Sequence, residues 1–164
     1  MIVAVSTQKI MDAWPLVEDY VRQACETNPI QSPVMVLASI LAGRAQMLLL
    51  VESAEATEVD GCMVMEVTVY PDGTEVANVW VLGGKPGIWA RYEEELEATV
   101  DSWSKFHGCD IIAMLGRPGW HKVLSDQWQT KPMVMAWRKR NDADSPGPPG
   151  HTDQQKWPAP GVRH

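Results

Sequence analysis

The sequence has almost no aromatic residues other than tryptophan. It holds one Phe and three Tyr among 164 residues, against eight Trp. Cysteine is scarce as well. Cys25, Cys62 and Cys109 show no CxxC spacing, and no histidine lies close to two of them. That excludes a disulfide framework and gives no zinc signature, so they read as small core residues in a reducing compartment, with no metal site. Long apolar runs are missing. The longest, around 34–41 and 45–51, are too short and too interrupted to cross a bilayer. Residues 1–10 have no basic region before an apolar stretch and do not read as a signal peptide. A soluble, cytoplasmic protein is expected.

Positive charge is the remaining shortage. Fourteen basic side chains face 21 acidic ones, a net charge of −7. An acidic chain lacks the basic footprint of a nucleic-acid binder. The deficit is uneven. Residues 1–84 carry three basic and eleven acidic groups, whereas 85–140 carry nine and seven. If the chain has an anionic ligand, the second block is where it is expected. Arg138, Lys139 and Arg140 in that block read as the solvated end of a strand.

What is present suits one globular domain: 164 residues, 45% of them hydrophobic. The pattern predicts a strand over 2–6 and a helix starting near Asp12, with Trp14, Val17, Val21 and Ala24 on one face. Pro15 is tolerated in a first turn, where amides have no helical partner. A second helix is marked by Ser32 as N-cap, Pro33 in the first position and Gly43 as the stop. Its apolar positions are Val34, Leu37, Ile40 and Leu41. Strands follow over 46–52, 61–70 and 74–82, the last two joined by the turn Pro71–Asp72–Gly73. In the second of these, Met63 and Met65 share one face, and Cys62, Val64 and Glu66 the other.

Gly83–Gly84–Lys85–Pro86–Gly87 is a glycine-rich loop ahead of a helix over 88–107. Trp89, Tyr92, Leu96, Val100, Trp103 and Phe106 keep helical spacing there, and Gly108 ends it. A buried strand over 110–115, the turn Gly116–Arg117–Pro118–Gly119, a short helix over 120–128 and a strand over 132–138 complete the order. Residues 141–164 hold five of the 12 prolines and read as a disordered tail, giving a domain over 1–140. Trp157 in that tail reads as an idle residue or an anchor. The element order implies an α/β fold, a mixed sheet with helices on its faces.

Over residues 1–140 this order resembles the GNAT fold of CoA-dependent N-acyltransferases, and more narrowly the short GNAT-like proteins encoded by bacteriophages. The residues that carry the resemblance are Ala42–Gln46 ahead of a strand, Gly83–Gly84 with Trp89, the junction Trp103 to Cys109, and Gly116–Trp120 with Leu124. The resemblance implies a mostly antiparallel sheet with helices on both faces. It also implies acetyl-CoA or another acyl-CoA as donor and an amine, on a small molecule or a host protein, as acceptor. Two neighbouring strands would splay to admit the acyl chain and pantetheine. The pyrophosphate would lie where a strand enters a helix, on free amides and a partial positive charge.

By this resemblance the donor site comprises Val81, Leu82, Gly83, Gly84, Lys85, Gly87, Trp89 and Arg117, with Arg91 nearby. The family motif is Gln/Arg-x-x-Gly-x-Gly/Ala. With Gly87 as its central glycine, Gly84 stands in place of Gln/Arg and Trp89 in place of the last small residue, while Pro86 removes a donor. Acyl transfer needs the amine deprotonated, the carbonyl oxygen stabilised and the thiolate protonated. Glu66, with Asn78 across the hairpin, is the candidate base. A backbone N–H of Val81 or Leu82 would meet the oxygen, and His121 is the candidate acid because the helix over 120–128 has no Tyr. Each has a plainer reading as a surface or turn residue. A second hypothesis keeps the fold without the chemistry: an interaction protein that binds a host enzyme or virion component. A homodimer through a sheet edge is also open.

Overall fold

The computed structural model describes residues 1–26, 31–114, 124, 128 and 129. The described residues fall in one compact unit, residues 1–130. The helix over 120–128 (apart from the few residues described there), the strand over 132–138 and the tail over 141–164 lie outside the described residues.

The described elements are β1 (Ile2–Ala4), a 3-10 turn (Thr7–Lys9), α1 (Ile10–Cys25), α2 (Pro33–Leu41), β2 (Ala45–Leu50), β3 (Gly61–Val69), β4 (Glu75–Gly84), α3 (Ile88–Phe106) and β5 (Ile111–Met114). The strands lie side by side in chain order, β1 to β5. The first three pairings are antiparallel, and β4 with β5 is parallel. The expected mixed, mostly antiparallel sheet is thus the observed one.

Strand alternation divides the core between the two faces of the sheet. Cys62 and Val64 pack with Ile10, Trp14, Val17 and Val21 of α1 and with Val36 and Ile40 of α2. Met63 and Met65 pack on the opposite face, with Trp89, Tyr92, Leu96 and Val100 of α3. Leu124 and Trp128 also pack against this second core. All three cysteines are free and buried. Among the described residues, no helix is long and apolar enough to cross a membrane.

Several boundaries differ from the sequence expectations. Helix α1 begins at Ile10, not at Asp12, and Lys9 at its N-cap position makes no side-chain cap bond. Burial of Ile10, which is 1% exposed, extends the helix past the better capping residue. Pro15 then lies beyond the first turn, where its missing N–H costs one helical bond. The start of α2 is as expected, with Ser32 Oγ accepting from the Met35 N–H at 3.3 Å. Its buried residues are Val36 and Ile40, whereas Val34 and Leu41 are exposed, because nine residues make a narrow contact with one neighbouring helix and the sheet. Phe106 is 84% exposed, because it falls off the buried stripe that runs through Leu96, Val100 and Ser104. Strand β5 is only partly buried rather than a core strand.

One irregularity positions the site. Val64 pairs with Val81 and Met65 with Val79, so Trp80 is an extra residue in β4. Such a bulge bends its strand and breaks the alternation. The packing shows this directly: Val79 faces the α3 core, Trp80 and Val81 both face the α1–α2 core, and Leu82 returns to the α3 side. The bulge follows the last described β4–β5 pair, Val79 with Met114.

Candidate functional site

Beyond the bulge, β4 continues through Gly83 and Gly84, both of which belong to the strand rather than to a loop. Their lack of a side chain serves packing. A Cβ on Gly83 would come within 2.6 Å of the Tyr20 carbonyl oxygen in α1, and one on Gly84 within 2.7 Å of the Asp60 carbonyl oxygen. At these two glycines the space a side chain would take is filled by the protein itself. Gly87 has a different role. It sits at the N-cap of α3 with φ +78°, in the left-handed region that glycine tolerates. The Ile88 N–H donates to the Lys85 carbonyl and the Arg91 N–H to the Gly87 carbonyl. The Gly87 and Ala90 amides have no acceptor among the described residues, as expected for the open end of a helix.

The centre of this end is Asp60, which sequence reasoning missed. Its backbone joins two strands: its N–H donates to the Leu50 carbonyl, and its carbonyl accepts from the Lys85 N–H, each at 2.8 Å. Its buried carboxylate accepts from Lys85 Nζ at 2.8 Å, from the Tyr92 hydroxyl at 2.7 Å and from an Arg91 guanidinium nitrogen at 3.1 Å. Lys85 also reaches Glu58 at 3.1 Å. The Lys85 ammonium, then the Tyr92 hydroxyl, hold the Asp60 carboxyl down to about 2 against the cost of burial. Burial, then the bond to Asp60, pushes the Tyr92 hydroxyl up to about 12. Asp60 and Glu58 raise Lys85. One signal for this node was available: a Tyr within an apolar helical stripe needs a buried hydrogen-bond partner. Nothing in the spacing identified that partner as Asp60.

Trp89, expected near the phosphates, turns its side chain into the α3 core. It is 6% exposed and meets Trp128 edge to face, with ring centroids 6.5 Å apart. Only its backbone faces the helix end, so the indole does not take the place of a small residue there. Val81 is buried and Leu82 half-buried at the bulge. Glu66 pairs with Asn78 in register, and Asn78 Nδ2 donates to its carboxylate at 3.2 Å. Both are half-buried, near the hairpin end of β3 and β4 rather than at the glycine end. His121 and Arg117 lie outside the described residues.

A cleft lies at the other end of α3. This cleft of about 580 Å³ is lined by Arg44, Gln46, Ser6, Thr7, Trp103 and His107, among others. Gln46 Oε1 accepts from the Trp103 indole at 2.7 Å, and the Trp103 and His107 rings lie 4.1 Å apart. No group of three potential metal ligands occurs among the described residues.

Comparison with solved structures relates this arrangement to known proteins. An aminoglycoside acetyltransferase from an uncultured soil metagenomic sample, solved with trehalose, superposes with a TM-score of 0.61 at 8% identity, over 85% of this chain and 96% of that one. The fold is that of the GNAT acetyltransferases. This chain also superposes on a ribosomal-protein-alanine N-acetyltransferase from Brucella melitensis, with a TM-score of 0.55 at 12% identity over 86% and 98% of the two chains. A third neighbour is AAC(6')-Iy bound to a bisubstrate analogue of CoA, with a TM-score of 0.58 at 16% identity over 86% and 98%. No family model matches the sequence, and no curated protein matches it. The likeness bears on the fold and not on a bacteriophage origin.

Proposed function

We propose that the chain is an N-acyltransferase that takes an acyl group from an acyl-CoA thioester and passes it to an amine. One observation carries this reading. The β4 bulge at Trp80 and the open amides of α3 follow one another within eleven residues, from Trp80 to Ala90, in a fold shared with acetyltransferases. The bulge leaves Trp80 without an opposite residue on β3, in the strand that leads to a helix end that favours phosphate.

The residues fit the donor in part. The Gly87 and Ala90 amides offer hydrogen bonds to phosphate oxygens, and a Val81 or Leu82 amide offers one to the carbonyl oxygen as negative charge develops on it. Gly83 and Gly84 offer no space. The donor supplies a thioester carbonyl activated for attack. The amine nitrogen forms the new C–N bond, the C–S bond breaks, and the thiolate leaves. Glu66, polarised by Asn78, takes the ammonium proton through water, the attacking nitrogen sheds its second proton to water as the amide forms, and His121 gives a proton to the sulfur. The neighbours that acetylate aminoglycosides make such a polyamine the first acceptor to try.

The test is calorimetric titration with acetyl-CoA, then a thiol-release assay with an aminoglycoside and with a panel of simple amines. Heat of binding and amine-dependent thiol release are expected. Absence of both sinks the reading. Glu66→Gln is expected to lower kcat by about 10²–10⁴-fold with little change in donor affinity.

A further inference from the structure

The cations beside the α3 amides already have partners. Lys85 Nζ lies 2.8 Å from Asp60 and 3.1 Å from Glu58, and Arg91 lies 3.1 Å from the other Asp60 oxygen. Two positive charges thus meet two negative ones, and the end of α3 carries no net side-chain charge toward a ligand. Asp60 is fixed there by its strand bonds and by Tyr92, so its carboxylate cannot move aside. Glu58 is different: its side chain is 80% exposed and touches only the lysine among the contacts seen.

We propose that Asp60, seconded by Glu58, is a negative specificity determinant of the acyl-donor site. It occupies Lys85 and Arg91 from within the chain and so lowers affinity for the phosphate groups of the donor. Recognition of the donor then leans on the backbone amides and on the thioester and pantetheine portion. This rests on the functional reading above and adds to it a preference within the thioester class: a donor without phosphates loses little. The physical basis is Coulombic. A fixed carboxylate a few ångströms from a bound phosphate repels it, and it also screens the two cations that would attract it.

The experiment is calorimetry on the full chain with two probes, CoA and pantetheine, at about 0.05 M and about 0.5 M salt. Asp60→Asn keeps an acceptor for Tyr92 and removes the charge. It is expected to tighten CoA binding by about three- to tenfold at low salt, with the gain shrinking at high salt. Pantetheine binding is expected to stay within about twofold, because it has no phosphate to feel the change. Glu58→Gln is expected to act in the same direction by a smaller factor.

Weaker CoA binding by Asp60→Asn, or equal changes for both probes, overturns the inference and makes Asp60 a structural brace only. If Asp60→Asn does not fold, the exposed Glu58 carries the test, and unchanged CoA affinity in Glu58→Gln overturns it. If neither wild type nor Glu58→Gln binds either probe, the functional reading fails and the inference falls with it. CoA binding that is indifferent to both variants refutes the inference alone.

Discussion

The two ends of α3 are built in opposite ways. At the N-terminal end a buried carboxylate collects Lys85, Arg91 and Tyr92, and its backbone joins β2 to β4. At the C-terminal end the ties are fewer. Trp103 donates to Gln46, and Ser104 Oγ donates to the Cys109 carbonyl. Among the described residues the Arg44 side chain reaches only Ser39 Oγ, at 3.4 Å, beside a cleft with no carboxylate in its described lining. One end satisfies its charges within the chain, and the other leaves a cation facing solvent. The formal charge of a segment therefore says little about its appetite for anions. The nominally basic stretch after residue 84 opens on a neutralised cluster, and an unneutralised Arg lies in the acidic half.

That contrast can be broken by substitution, beginning where the structure is tightest. Gly83→Ala puts a methyl 2.6 Å from the Tyr20 carbonyl oxygen, so α1 or β4 must shift. A loss of about 2–3 kcal/mol is expected in urea unfolding. A variant as stable as wild type would show that α1 yields easily at this end.

Asp60→Asn is expected to cost about 1–3 kcal/mol near neutral pH, because it weakens a charged, buried hydrogen-bond node. The acid limb gives a sharper reading. The folded Asp60 titrates near 2, below its unfolded value, so its contribution is complete above the unfolded value. It is lost as pH falls from about 4 toward 2. In Asp60→Asn the unfolding free energy should be less steep over that window. An identical slope in both proteins would remove Asp60 from the account of acid stability.

The C-terminal end should respond less. Gln46→Leu leaves the half-buried Trp103 N–H without its acceptor and is expected to cost about 1 kcal/mol by thermal unfolding. Arg44→Ala is expected to stay within about 0.5 kcal/mol, because its bond is long and exposed. A cost for Arg44→Ala as large as that for Asp60→Asn would erase the difference between the two ends.

Much of the fold was legible because it rests on periodicity. The alternation of Met63 and Met65 against Cys62 and Val64 placed β3 between two cores, and the stripe from Trp89 to Val100 gave α3 its buried face. The Glu66–Asn78 pairing was also legible, since a short turn sets hairpin register. Less of the site could be read. The glycines at 83 and 84 stand out in the sequence, but α1 and the Asp60 strand end use up the space they leave. Helical spacing and the motif alignment gave Trp89 two different places, and packing with Leu96 and Val100 decided for the buried face.

The sequence by itself determined the order of the described elements, the two-sided core and the three buried thiols, all of which follow from local pattern and composition. Tertiary structure alone decided that Trp80 bulges out of register, that Asp60 meets Lys85, Arg91 and Tyr92, and that α1 covers Gly83. The physical reason is range. Side-chain periods and turn preferences act over a few residues, whereas a buried carboxylate is satisfied by groups 25 to 32 residues away, brought to it only when the sheet and α3 close.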